Sequence, residues 1–168
     1  MDKWSDFIFL CGSSAAGLTG LMFIAVTFGS RLLNKDKLDR IDIFLSAICF
    51  HFVHAFILCC VASIPALSPQ VLGAVIVLTT AWRLAKMPRA FRLIKISAEE
   101  DKEVEFSDWI ITGVAPSCIY LLLIAAGAAF IFSAPWAMYL FATSLILLLF
   151  LGMRGAWDMI LWTAIKLN

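Results

Sequence analysis

Apolar and charged positions in this chain are sorted into long blocks, and are not interleaved as on a water-facing surface. Residues 7–30 hold no charged side chain, and Arg31 closes the run. Further uncharged runs cover 43–64, 71–82, 109–132 and 136–153. About 20 apolar residues make a helix that crosses the hydrocarbon core of a bilayer, so four of the five runs predict a span outright. The third is short, but 69–87 reaches roughly 28 Å at 1.5 Å per residue if the Arg83 and Lys86 stems snorkel. It must cross. Otherwise the cation-rich linkers on its two sides would face opposite compartments, against the positive-inside tendency.

The punctuation agrees with this division. Pro65-Ala66-Leu67-Ser68-Pro69 is an uncharged turn, with Ser68 as N-cap and Pro69 at the first helical position. Ser107 or Asp108 caps the fourth span, and Pro116 bends it within its first two turns. Ser133-Ala134-Pro135 turns the chain into the fifth, which continues through Arg154 and Asp158 towards Leu167. The pattern predicts an all-α polytopic membrane helix bundle of about five transmembrane helices. The spans are about 7–30, 43–64, 69–87, 109–132 and 136–157, in a single domain over 1–168.

Lys and Arg set the expected orientation. The 31–42 linker has Arg31, Lys35, Lys37 and Arg40, and the 83–108 linker has six such residues, while the two short turns have none. Cations held on the cytoplasmic side put the N-terminus outside and the C-terminus in the cytoplasm. Trp4 and Trp136 then fall at the outer boundary, with Trp82, Trp109 and Trp157 at the inner one, as an aromatic belt requires. Lys3 is flanked by Asp2 and Asp6, and the first run continues past Ala15 and Ala16. A retained helix is therefore expected, not a cleaved signal peptide.

Composition supports the membrane class: 62% of residues are hydrophobic and 15% charged, against about 25% charged in soluble domains. The net charge of +1 offers no case for nucleic acid. Cys11, Cys49, Cys59, Cys60 and Cys118 all lie in apolar runs, odd in number and without C-x-x-C spacing. They read as small hydrophobes, not as a disulfide framework.

Within the first span, Gly12, Ala16 and Gly20 fall four apart, and Ser13 with Gly17 runs beside them. On a helix this makes a smooth stripe where another backbone can approach, the small-xxx-small pattern of membrane helix pairs. We expect a helix-packing or oligomer seam there.

Polar residues inside the spans are few. His51 and His54 are three apart and share one face of the second helix, as an ion-sensitive lining or as neutral, hydrogen-bonded imidazoles. Cys49 and Cys60 point well away from His51, so a metal site lacks its third and fourth ligands and none is expected. Arg154 and Asp158 are four apart and can pair, either buried or at the headgroup level. No Asp or Glu lies in any span to orient a histidine, and no phosphate-binding or dinucleotide glycine pattern occurs. Neither an enzyme nor a cofactor is expected.

The long linker divides by charge. Arg83, Lys86, Arg89, Arg92 and Lys95 make a basic helical stretch interrupted by Pro88, and Glu99, Glu100, Asp101, Glu103, Glu105 and Asp108 an acidic one. Two readings stand: the basic part contacts lipid headgroups or a partner, or it folds back against the acidic part.

Two segments carry a resemblance: Ala16-Gly17-Leu18-Thr19-Gly20-Leu21-Met22-Phe23-Ile24-Ala25-Val26-Thr27, and Gly152-Met153-Arg154-Gly155-Ala156-Trp157-Asp158. Both resemble a group of small, mostly uncharacterised bacterial multi-pass inner-membrane proteins, with Gly155 standing where that pattern has Asn. The resemblance implies a bacterial inner (plasma) membrane location and one architecture holding Gly20, Arg154, Trp157 and Asp158. It implies no activity. The expected function is a homo-oligomeric helical assembly enclosing an ion-conducting or water-filled path near His51 and His54. The alternative is a non-conducting accessory subunit, docking a second membrane or cytoplasmic protein through the 83–108 linker and the C-terminal helix.

Overall fold

The computed structural model describes the backbone of residues 4–30, 35–100 and 114–166, and the side chains of residues 4–24, 27, 49–86 and 114–157. The described chain is all-helical: α1 (Ser5–Ser30), α2 (Lys35–Ala62), α3 (Pro69–Glu100), α4 (Ala115–Ile131) and α5 (Ala137–Lys166). No strand occurs among the described residues. Ser5–Ile24 and Ala137–Trp157 are long and apolar enough to cross a membrane, and Cys49–Ala62 and Ala115–Ile131 are shorter apolar helices.

Two helices extend beyond the expected spans. α2 begins at Lys35, so most of the expected 31–42 linker is helical. Its sequence explains this: 35–42 lacks Gly and Pro, and Asp36 and Arg40 stand at the i, i+4 spacing that supports a helix. α3 runs unbroken to Glu100, through the Pro88 expected to interrupt it. A proline costs a helix interior about 3 kcal/mol, but Leu84, Ala85, Lys86, Met87 and Ala90 around it are good helix formers. At α4 the described helix starts at Ala115 with Pro116 in its first turn, where no helical hydrogen bond is lost. The expected start at Trp109, with its Ser107 or Asp108 cap, lies outside the described residues.

The helices fall into two compact units, Met1–Ser63 with Leu148–Asn168, and Ile64–Leu147. In the first, α1 packs on α2 through Ile8, Cys11, Gly12, Ala15 and Met22, positions that share one side at helical period. Met22 and Phe52 form a buried cluster against which Leu18, Cys49, Leu149 and Ala156 pack. Gly152 of α5 lies directly on the Phe52 ring.

In the second unit, α3 meets α4 through Leu72, Gly73, Ile76 and Thr80 on one side and Ile119, Tyr120, Leu123, Gly127 and Phe130 on the other. Gly73 and Gly127 bring the two backbones together. Phe141 of α5 stacks edge-on to Phe130, ring centres 6.0 Å apart at 77°.

Both turns of this unit are hydrogen-bonded. Val71 N–H donates to Ser68 Oγ at 3.4 Å, the N-cap bond of α3. α4 ends with Ala134 N–H donating to Ala129 O at 2.8 Å and Ser133 N–H to Phe130 O at 3.0 Å, a Schellman cap. Ser133 therefore takes a positive φ of 54°, and Gln70 Nε2 donates to its hydroxyl at 3.0 Å. Ala66, exposed in the turn before α3, has φ 60°. A non-glycine residue there costs about 1 kcal/mol or more, so Ala66→Gly should stabilise the protein by roughly 0.5–1 kcal/mol. A thermal melt in detergent, followed by circular dichroism, should show a higher midpoint; a lower one would mean that the turn is not left-handed.

Candidate functional site

On α1 the row Gly12, Ala16, Gly20 does not keep to one side. Residues four apart advance by about 40° around a helix, so three of them wind over about 80°. Gly12 is buried inside the unit, where a Cβ would come 3.0 Å from Cys59 Cβ, while Ala16 and Gly20 are exposed. Ser13, Ala16, Gly17 and Gly20 are exposed and form a compact set, with Ser14 exposed to one side of it. A Cβ at Gly17 or Gly20 would meet nothing within 4 Å.

Bulky exposed side chains frame this set, Phe9 and Leu10 before it and Leu21, Phe23 and Ile24 after it. The result is a notch about 10 Å long, the seven helical rises of about 1.5 Å from Ser13 to Gly20, framed by apolar side chains. Thr19 and Thr27 turn their hydroxyls onto their own helix, each donating at 2.8 Å to the carbonyl four residues back, Ala15 and Phe23. They leave the notch unobstructed. The signal for Ser13 and Gly17 was present as the parallel row; choosing between the two rows takes knowledge of which side α2 covers.

The histidines separate as well. His51 is 6% exposed, on the side of α2 that buries Ala55, Leu58 and Ala62. His54 is half-buried at the margin of that side, and neither histidine is without a partner. Asp6, exposed near the start of α1, is the one carboxylate among the described side chains of this unit. No group of three or more His, Cys, Asp or Glu that could hold a metal occurs among the described residues. All five cysteines are free.

Arg154 is exposed on α5, one turn before the exposed Trp157. Asp158 lies on the same helix, but its side chain is outside those described, as are those of Arg89, Arg92 and Lys95. Of the basic stretch, Arg83 and Lys86 are described. Arg83 is half-buried and its guanidinium donates a hydrogen bond to the hydroxyl of Tyr120, a fully buried residue of α4. The Lys86 ammonium stands 4.3 Å from the centre of the Trp82 ring, a cation–π contact.

Neither Tyr120 nor the Gly73–Gly127 approach is marked by the hydropathy of the chain. The available signals were a single tyrosine inside an apolar run, and glycines in helix interiors that ask for a packing reason. Comparison of the chain with protein-family models, with curated proteins and with solved structures finds no match.

Proposed function

We propose that this chain is a multi-pass protein of a bacterial inner membrane that assembles with copies of itself along the α1 notch. One observation carries the reading: a two-turn recess of Ser13, Ala16, Gly17 and Gly20, exposed and rimmed by Phe9, Leu10, Leu21, Phe23 and Ile24. In hydrocarbon no hydrophobic force draws helices together, so association relies on close backbone packing at sites of this shape. Five spans, with the 31–42 and 83–108 linkers in the cytoplasm, fit the exposed Trp82, Trp136 and Trp157 as interfacial residues.

Asp6, Ser13, Gly17, Gly20 and Thr27 fall on an arc of about 80° at 100° per residue, and all are exposed. Copies arranged around that arc would enclose a narrow path with polar stations, interrupted by Phe9 and Ile24 as apolar constrictions. His51 and His54 lie on α2, behind that arc.

The experiment is mass in native-like detergent. Gly17→Leu with Gly20→Leu should reduce an oligomer to monomer while leaving helicity intact. Gly12→Leu should instead lower stability, because its side chain would enter the α1–α2 packing. An unchanged mass in the double variant would refute the seam. Flux through the wild-type protein in liposomes, abolished by the same pair, tests the path.

The accessory reading has its own observation. α3 has 32 residues and α5 has 30, roughly 48 and 45 Å of helix against a hydrocarbon core of about 30 Å. Each outreaches the bilayer and offers a rod for a partner. A specific protein that co-purifies, and is lost when the charges over 83–95 are neutralised, would favour that role.

A further inference from the structure

Where the uncharged stretch of α3 ends, two cations stand on one side of the helix. Arg83 and Lys86 are three residues apart and therefore neighbours on its surface. The Arg83 guanidinium hydrogen-bonds the Tyr120 hydroxyl. A phenol orients that group and leaves its charge intact. The guanidinium carries five donors in a planar fork, a geometry suited to phosphate oxygens. Lys86 is exposed and held over Trp82, whose ring is itself 67% exposed. Among the described side chains of the Ile64–Leu147 unit there is no Asp or Glu.

We propose that Arg83 and Lys86, positioned by Tyr120 and Trp82, form a binding site for the phosphate of an anionic membrane lipid. The assignment rests on the membrane reading above. It favours a lipid over free phosphate because the surface continues in apolar form. Leu78 and Val71 stand 73% and 49% exposed, four and eleven residues before Trp82 and thus on its side of α3. They give an acyl chain a ridge to lie along, below a headgroup held by the two cations. A tryptophan with a snorkelling lysine beside it is the usual furniture of the headgroup level.

The full chain, purified in detergent, is titrated with phosphatidylglycerol and with phosphatidylcholine of the same chain length, and bound lipid is counted by native mass spectrometry. The site predicts preference for the anionic lipid. A juxtamembrane cation contributes about a fivefold gain in affinity for anionic lipid, so Lys86→Gln and Arg83→Gln should each lower the phosphatidylglycerol constant by about that factor. The phosphatidylcholine constant should not change. Tyr120→Phe, which keeps both charges, should cost less. Lys86 is exposed, so its replacement tests the site even if an Arg83 variant fails to fold.

Equal binding of the two lipids by the wild type overturns the proposal. So does displacement of phosphatidylglycerol by millimolar inorganic phosphate, which would make the ligand a free anion. So, too, does a preference that emerges only after Glu99, Glu100, Asp101 and Glu103 are changed to Gln, which would mean that the chain's own acidic stretch occupies the site. Failure of the membrane reading looks different: the protein would not float with vesicles of either lipid.

Discussion

Gly73→Ala is expected to destabilise the protein by about 3 kcal/mol, although alanine is the better helix former. An ideal Cβ at Gly73 would lie 2.5 Å from the Gly127 carbonyl oxygen, 2.8 Å from Phe130 Cβ and 3.0 Å from Ile131 Cγ1. A carbon settles against a carbonyl oxygen at about 3.3 Å or more, so the helices would have to part by most of an ångström. The obstacle is backbone, which has no rotamer to change. From the other side, a Cβ at Gly127 would lie 2.8 Å from Val77 Cγ2 and 2.9 Å from the Gly73 oxygen.

Moving α3 from α4 also loosens Leu72, Ile76, Leu123 and Phe130, which are buried around the crossing. Against this, alanine recovers only about 1 kcal/mol of helix propensity. Unfolding in a graded denaturing detergent, followed by loss of helicity, should show the drop. Gly73→Ala with Gly127→Ala should cost less than the sum of the two, since the first already opens the gap. A Gly73→Ala protein more stable than wild type would mean that the two helices are not in backbone contact.

The second large effect belongs to Gly152. Its Cβ would come 2.5 Å from Cε1 and 2.7 Å from Cζ of Phe52, a fully buried ring. A ring end can swing away when there is room, but this one is packed with Met22, Leu18, Cys49, Leu149 and Ala156. Gly152→Leu should therefore cost about 3 kcal/mol or more through overpacking. Phe52→Ala alone should cost about 3–5 kcal/mol through the cavity it leaves. Together, the leucine fills the space the ring vacates, so the pair should be more stable than the sum by about 1–3 kcal/mol. Equilibrium unfolding of the wild type and the three variants closes the cycle, and additive costs would show that Gly152 and Phe52 do not touch.

Much of the helical layout was legible along the chain. Uncharged run lengths marked the helices. Ser68-Pro69 marked the start of α3, and Ser133-Ala134-Pro135 the turn before α5. The overruns at Lys35 and beyond Pro88 were not, because hydropathy reports where charge stops and not where a helix stops. Lys and Asp end an apolar run without ending the hydrogen-bond ladder. On α1 both small-residue rows were visible, but a row repeating every four residues winds around the helix. Gly12 ends inside and Gly20 outside.

The histidines show the same limit. Their spacing put them on one side of α2, and only packing separated a buried His51 from a half-buried His54. Tyr120 was one apolar-run residue among many until α4 set its hydroxyl against Arg83. Gly73, Gly127 and Gly152 were isolated glycines whose partners lie on other helices.

By itself, the order of residues determined that this chain is helical, where its apolar stretches lie and which turns join them. Those properties are local, set by runs of side chains and by the φ preferences of a few turn residues. Only the tertiary structure decided which glycines face another backbone, which histidine is sealed, and which small residues of α1 remain exposed. Each of these depends on the rotation of one helix against another, and that angle is chosen by the fit of two surfaces far apart along the chain.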